Sequence, residues 1–128
     1  MPQYMLLIYN SAEGGVPPEQ MEAQHQRWAD YTQALKNAGL FVAGDALERP
    51  DIATTIRERD GQLQITDGPF AETKEFLAGY YVLEAPDLDT VLGHAGRAPN
   101  VAHGSVEVRP VWDLTQGSPE AAQAQARA

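Results

Sequence analysis

The sequence contains no cysteine, which excludes disulfide bonds, cysteine zinc sites and thiol catalysis. Basic residues are also scarce: nine Lys and Arg stand against eighteen Asp and Glu, for a net charge of −9. Such a surface repels a phosphate backbone, so we predict no nucleic-acid partner. The first apolar run, residues 4–9, follows no basic segment and is far shorter than the ~20 residues of a membrane span. We therefore expect a cytoplasmic protein without a membrane partner.

Several catalytic and cofactor motifs are missing from the sequence. There is no G-x-S-x-G, no P-loop and no G-x-G-x-x-G, which argues against serine hydrolases, nucleoside triphosphates and dinucleotides. The three histidines are scattered and form no H-E-x-x-H pattern. We therefore predict neither a cofactor nor a metal ion.

The 128 residues fit one domain with one hydrophobic core. From residue 116 onward no aliphatic side chain is larger than alanine. We therefore predict a domain over residues 1–114 and a flexible tail over residues 115–128.

Apolar periodicity and turn residues predict the secondary structure. The predicted elements, in order, are a strand (residues 4–9), a helix (18–38), a strand (40–44), a hairpin (53–59 and 62–66), a strand (80–85), a helix (87–96) and a strand (105–111). Asp60-Gly61 marks the hairpin turn, and Asp87 is the predicted cap of the second helix. Ile56 alternates with Thr55 and Arg57, which predicts a half-buried strand.

Helical spacing predicts which residues of the two helices face the core. For the first helix they are Met21, Trp28, Tyr31, Leu35 and Ala38, and for the second Leu88, Val91, Leu92 and Ala95.

This order predicts an α+β fold, a ferredoxin-like βαββαβ core with an inserted β-hairpin. Two helices cover only one face of such a sheet. The other face also carries apolar residues, so we predict that it pairs with a second copy in a homodimer.

One stretch resembles a known family. Residues 67–75, which begin Asp67-Gly68-Pro69-Phe70, followed by Gly79-Tyr80-Tyr81, resemble the signature of DGPF-type proteins, a branch of the YCII-related family. Residues 4–9, 43–47, 53–57 and 104–110 resemble the family's first, middle and last strands.

The resemblance implies a dimeric α+β barrel, in which two ferredoxin-like sheets face one another. It also implies an association with extracytoplasmic-function sigma factors, and therefore a possible regulatory protein partner. Members of the wider family resemble small lyase-like enzymes with a proposed His–Asp pair. In this chain Trp28 occupies the position that we align with the family histidine, and His25 lies one turn earlier.

The Asp67 motif has two interpretations. Turn chemistry explains its residues, because Gly68 and Pro69 set the backbone angles and Asp67 can bond backbone N–H groups. Alternatively, Asp67 or Glu72 lines the dimer cleft as an acid, a base or a ligand contact. Phe70 either anchors the loop in the core or contacts a ligand.

Histidine is the natural candidate for a general base because its ordinary pKa lies near neutrality. His25 paired with Asp45 is one such candidate, with Asp67 as a further acid, and the other interpretation is an exposed helix histidine. Arg109 can bind a carboxylate or form a salt bridge across strands. The candidate ligand-binding residues are Trp28, Asp67, Phe70, Glu72, His103 and Arg109.

Three functional hypotheses follow from these observations. The first is a dimeric small-molecule-binding or regulatory accessory module linked to bacterial sigma-factor signalling. The second is a lyase-like or isomerase-like enzyme that uses His25 or His103 with a carboxylate in the dimer cleft. The third is a structural or assembly protein without a pocket.

Overall fold

The structure, a computed structural model, describes residues 1–12, 16–69 and 73–114. Its strands are β1 (Gln3–Ser11), β2 (Phe41–Ala46), β3 (Thr54–Arg59), β4 (Gln62–Asp67), β5 (Glu75–Glu84) and β6 (Ser105–Pro110). Its helices are α1 (Met21–Asn37) and α2 (Leu88–Ala95), with short 3-10 turns at Pro18–Gln20 and Pro50–Ile52. The predicted order of strands and helices is confirmed. The tail predicted over residues 115–128 lies outside the described residues.

Four strands form one antiparallel sheet in the order β2-β5-β1-β6, and β3 pairs with β4 in a separate hairpin. Without the hairpin, the order of elements is βαββαβ, and the sheet order is that of a ferredoxin-like fold. The predicted α+β class with an inserted hairpin is therefore confirmed.

The two helices pack on one face of the sheet. On β1, Tyr4, Leu6 and Ile8 alternate with less buried residues and point into the core, as the two-residue period of a strand requires. Leu35 of α1 and Val91 of α2 are fully buried in the same core. Asp87 caps α2, because its carboxylate accepts a bond from the Thr90 backbone N–H at 2.8 Å.

The opposite face of the sheet is only half-buried, and we call it the open face. Its residues include Met5 and Leu7 of β1, Tyr80 and Val82 of β5, and the exposed Glu107 and Arg109 of β6. Leu7 lies between Tyr80 and Glu107 in the strand register. Neither α1 nor α2 covers the apolar centre of this face.

The hairpin confirms its predicted turn but not its predicted burial. Asp60 and Gly61 both have positive φ, 53° and 74°, as the tight turns that suit a hairpin's twist require. Ile56 lies opposite Ile65, and both side chains are more than 60% exposed. The half-buried strand expected at Ile56 was wrong because the hairpin does not join the four-stranded sheet.

Other boundaries and burials also differ from the prediction. β5 begins at Glu75, not at residue 80, because it follows β1 past a bulge at Ile8/Tyr9. Met21 is 47% exposed, since it lies ten residues, or about 15 Å of helix, before the buried Tyr31. Four residues predicted to face the core are exposed instead: Met21, Ala38, Leu88 and Leu92.

Asn100 joins the loop before β6 to the sheet. Its side chain is 1% exposed, and its Nδ2 donates to the carbonyls of Tyr9 at 2.9 Å and Ser105 at 3.0 Å. Gly104 is required beside it, since a Cβ there would lie 2.2 Å from the Tyr9 carbonyl oxygen. One amide therefore fixes where β6 begins.

We predict that Asn100→Asp lowers the free energy of unfolding by about 2–3 kcal/mol, because a carboxylate cannot donate to either carbonyl. Urea unfolding measures the change. Asn37→Asp, at an exposed position on α1, is the matched control and should change stability little. A loss at position 100 no larger than that of the control would contradict the role of Asn100.

Candidate functional site

A pocket of about 490 Å³ lies between α1 and the β2–β5 edge of the sheet. α1 contributes one wall, β2 and β5 contribute the other, and the segment after β2 forms part of the rim. The lining residues are Ile8, Asn10, Trp28, Ala29, Thr32, Phe41, Gly44, Asp45, Ala46, Leu47, Arg49, Phe76, Ala78, Gly79, Tyr80 and Tyr81.

Aromatic rings form the inner wall of this pocket. The Trp28 and Tyr81 rings are nearly parallel, 21° apart, with centroids separated by 6.4 Å. Phe41 meets Tyr81 edge-on at 6.2 Å, and Tyr31 meets it edge-on at 5.7 Å from the core side. Contacts of this kind add about 0.5–1.5 kcal/mol per pair beyond the buried area. The wall is thus held in place by the core behind it.

Two hydroxyl groups lie on the same wall. The Thr32 Oγ1 and Tyr81 Oη atoms are 2.7 Å apart and share a hydrogen bond. Burial raises the pKa of Tyr81, and the bond with Thr32 partly offsets that rise. Burial also raises the pKa of the neighbouring Tyr31 to about 12, and its hydroxyl donates to the His94 carbonyl at 2.7 Å. Both phenols are therefore neutral near physiological pH.

The rim of the pocket is charged. Tyr80 Oη donates to Asp45 Oδ2 at 3.0 Å, which ties β5 to the edge strand β2 on the open face. That hydrogen bond, together with the Asp45 charge, raises the pKa of Tyr80. Arg49 also lies on the rim, where it forms an exposed ion pair with Asp51 at 3.2 Å. Exposed pairs of this kind add little to stability.

Two glycines on neighbouring strands make this geometry possible. A Cβ at Gly44 would lie 2.6 Å from Tyr81 Cδ1, inside the space that the ring occupies. A Cβ at Gly79 would lie 2.9 Å from the Asp45 carbonyl oxygen. The small residues therefore let the Tyr81 ring lie against β2 and let β2 approach β5.

The structure brings two of the candidate site residues together and places four other described candidates away from them. Trp28 and Asp45 both line the pocket. His25 is exposed on α1 and does not line it, and His103 is exposed in the loop before β6.

Asp67 ends the exposed β4, and Arg109 lies on the open face. Neither belongs to the pocket. Phe70 and Glu72 lie outside the described residues.

The sequence analysis did not identify Thr32, Gly44 or Tyr81 as site residues. Tyr81 is only 8% exposed, yet it also lines the pocket. A usable signal was the helical spacing of Trp28 and Thr32, which places both on one face of α1.

Two other features are absent from the part of the chain that the structure describes. Within residues 1–12, 16–69 and 73–114, no three Asp, Glu or His side chains are grouped so that they could hold a metal ion. Over the same residues no helix has the length and apolar character needed to cross a membrane.

We predict that Gly44→Ala displaces the Tyr81 ring and lowers the free energy of unfolding by about 1–3 kcal/mol, the usual cost of overpacking. Near-UV circular dichroism measures the change in packing of the Tyr81 ring, and urea unfolding measures the change in stability. Gly93→Ala on α2 is the control: its added Cβ would meet nothing within 4 Å, so it should stabilise by up to ~1 kcal/mol. Equal effects of the two substitutions would contradict the packing described for Gly44.

Known proteins similar to this chain place it in a family. An uncharacterized protein of Rhizobium meliloti (strain 1021) is 44% identical over 112 residues, which cover 84% of this chain and 90% of that protein. One solved structure is also similar to this chain: the 5-chloro-2-hydroxyhydroquinone dehydrochlorinase TftG of Burkholderia phenoliruptrix AC1100, in complex with 2,5-dihydroxybenzoquinone. The match covers 90% of this chain and 99% of the TftG chain. Its likeness is loose, with 13% identity and a TM-score of 0.44.

The YCII-related domain matches residues 2–115, which is most of the chain. The DGPF-type branch indicated by the Asp67 motif is consistent with this match. This chain belongs to the YCII-related family.

Proposed function

We propose that this protein is a homodimeric small-molecule-binding module and that the pocket at Trp28 and Asp45 is its ligand site. The observation that carries the proposal is the pocket itself. Its volume of about 490 Å³ lies within the usual range for ligand sites, about 300–1,000 Å³. Its lining also has the usual composition: an apolar, largely aromatic wall with a few polar groups at fixed positions.

The residue at position 28 favours binding over histidine-based catalysis. Tryptophan cannot transfer a proton at neutral pH, and it stands where we align the family histidine. Among the described residues that line the pocket there is no histidine. The lyase-like alternative needs a histidine within hydrogen-bond reach of a carboxylate. Among its candidate residues that the structure describes, only Asp45 lines this pocket.

The open face supports the homodimer. Its centre carries Met5, Leu7 and Val82, and apolar sheet faces of this kind are normally covered. A second copy of the chain supplies an identical apolar surface, so a two-fold axis through the open face would bury that surface in both copies. Because Asp45 and Tyr80 belong to both the open face and the pocket rim, the partner would lie beside the ligand site.

The resemblance to DGPF-type proteins supports an accessory role in bacterial sigma-factor signalling. In this role the ligand would be the signal, and a regulatory protein would bind the form of this protein whose pocket holds the ligand. A cytoplasmic location belongs to the same proposal.

A thermal-shift screen against a broad set of metabolites tests the binding site. A ligand present at 100 times its Kd should stabilise the protein by about 2.7 kcal/mol. Trp28→Leu should abolish the shift, whereas Trp112→Leu, at an exposed tryptophan outside the pocket, should retain it. A full metabolite set that produces no shift in the unsubstituted protein would contradict the proposal.

Sedimentation velocity at micromolar concentration tests the dimer. We expect the unsubstituted protein to sediment as a dimer and Leu7→Glu to sediment as a monomer, since the new charge would be buried without a partner. Leu92→Glu makes the same change on the exposed side of α2 and should leave the dimer intact. A monomeric unsubstituted protein refutes this part of the proposal.

A further inference from the structure

We propose that the ligand of the Trp28–Asp45 pocket is a neutral, planar aromatic molecule that carries a hydroxyl group. This inference rests on the proposed binding function and adds the chemical class of the ligand. Three features of the pocket carry it: a flat ring surface, a hydrogen-bond donor within the wall and a hydrogen-bond acceptor at the rim.

The flat surface comes from Trp28 and Tyr81. Their rings are 21° from parallel and both line the pocket, so they present faces of similar orientation. Phe41 stands at 74° to Tyr81 and closes the surface edge-on. Aromatic rings bind each other best in offset-stacked or edge-to-face arrangements. A planar aromatic ligand can make both kinds of contact here, whereas a puckered ring has no aromatic face to offer.

The donor comes from the Thr32–Tyr81 hydroxyl pair. Two hydroxyl groups carry two protons, and their mutual bond at 2.7 Å uses one of them. Within the described residues neither hydroxyl makes a second side-chain bond. Tyr81 is only 8% exposed, and leaving a buried donor unpaired is costly. A ligand oxygen next to this pair would accept the remaining proton.

The acceptor is the Asp45 carboxylate at the rim. An ionised carboxylate has about four acceptor positions and no donor, and Tyr80 occupies one of them through Oδ2. A ligand hydroxyl can donate to another. A ligand carboxylate in the same place would be repelled by the Asp45 charge. This charge favours a neutral phenol over an aromatic acid.

Isothermal titration calorimetry on the full chain tests the proposal with three probes of similar size: 4-ethylphenol, 4-ethylanisole and 4-ethylcyclohexanol. The phenol should bind most tightly. The anisole keeps the ring but has no donor for Asp45, and the cyclohexanol keeps the hydroxyl but loses planarity. Each should bind roughly three- to tenfold more weakly, the loss of one hydrogen bond or one ring contact.

Substitutions assign each loss to its residue. Asp45→Asn should weaken binding of the phenol more than binding of the anisole, which has no proton to donate to Asp45. Thr32→Val should weaken binding of both, since each has an oxygen that can accept from the hydroxyl pair. Trp28→Leu should remove the preference for the phenol over the cyclohexanol. Trp112→Phe, outside the pocket, should reproduce the unsubstituted protein with all three probes.

The results separate failure of the ligand class from failure of the binding function. Equal affinity for phenol and anisole overturns the hydroxyl requirement, and equal affinity for phenol and cyclohexanol overturns planarity. No binding of the phenol at millimolar concentration overturns the class as a whole. In that case the binding function still stands if the metabolite screen finds a ligand whose shift depends on Trp28.

Discussion

The position of the Tyr81 ring is the constraint on which the core and the pocket both depend. The ring contacts Trp28, Tyr31 and Phe41, with centroids 5.7 to 6.4 Å away. It occupies the space that a side chain at position 44 would fill. Tyr81 belongs to the hydrophobic core and also lines the pocket. Pocket shape is therefore tied to core packing.

Local signals in the sequence predict the fold well because they act over a few residues. The Asp60-Gly61 turn and the Asp87 cap depend only on neighbouring backbone groups, and both are found in the structure. Burial depends instead on which layer covers a strand or a helix turn. Ile56 has the alternating pattern of a half-buried strand but belongs to a hairpin outside the main sheet. Periodicity alone cannot reveal that difference.

The site is less predictable because its residues come from separate parts of the chain. Trp28 was identified through a family resemblance and Asp45 as a carboxylate to pair with His25, and both line the pocket. Gly44 was missed, since its role becomes visible only when β2 lies beside Tyr81. The Asp67 motif is prominent in the sequence, but Asp67 itself lies at the exposed end of the hairpin.

The Asp45–Tyr80 hydrogen bond links the two halves of the proposed function. It joins β2 to β5 at the point where the pocket rim meets the open face. A ligand that bonds Asp45 acts on one end of this pair, and a second copy packed on the open face acts on the other. If ligand and partner each favour the same arrangement of the pair, each must raise the affinity of the other by the same factor, because binding linkage is reciprocal. Under that condition, the proposed ligand binding and the proposed dimer assembly are coupled through the Asp45–Tyr80 hydrogen bond.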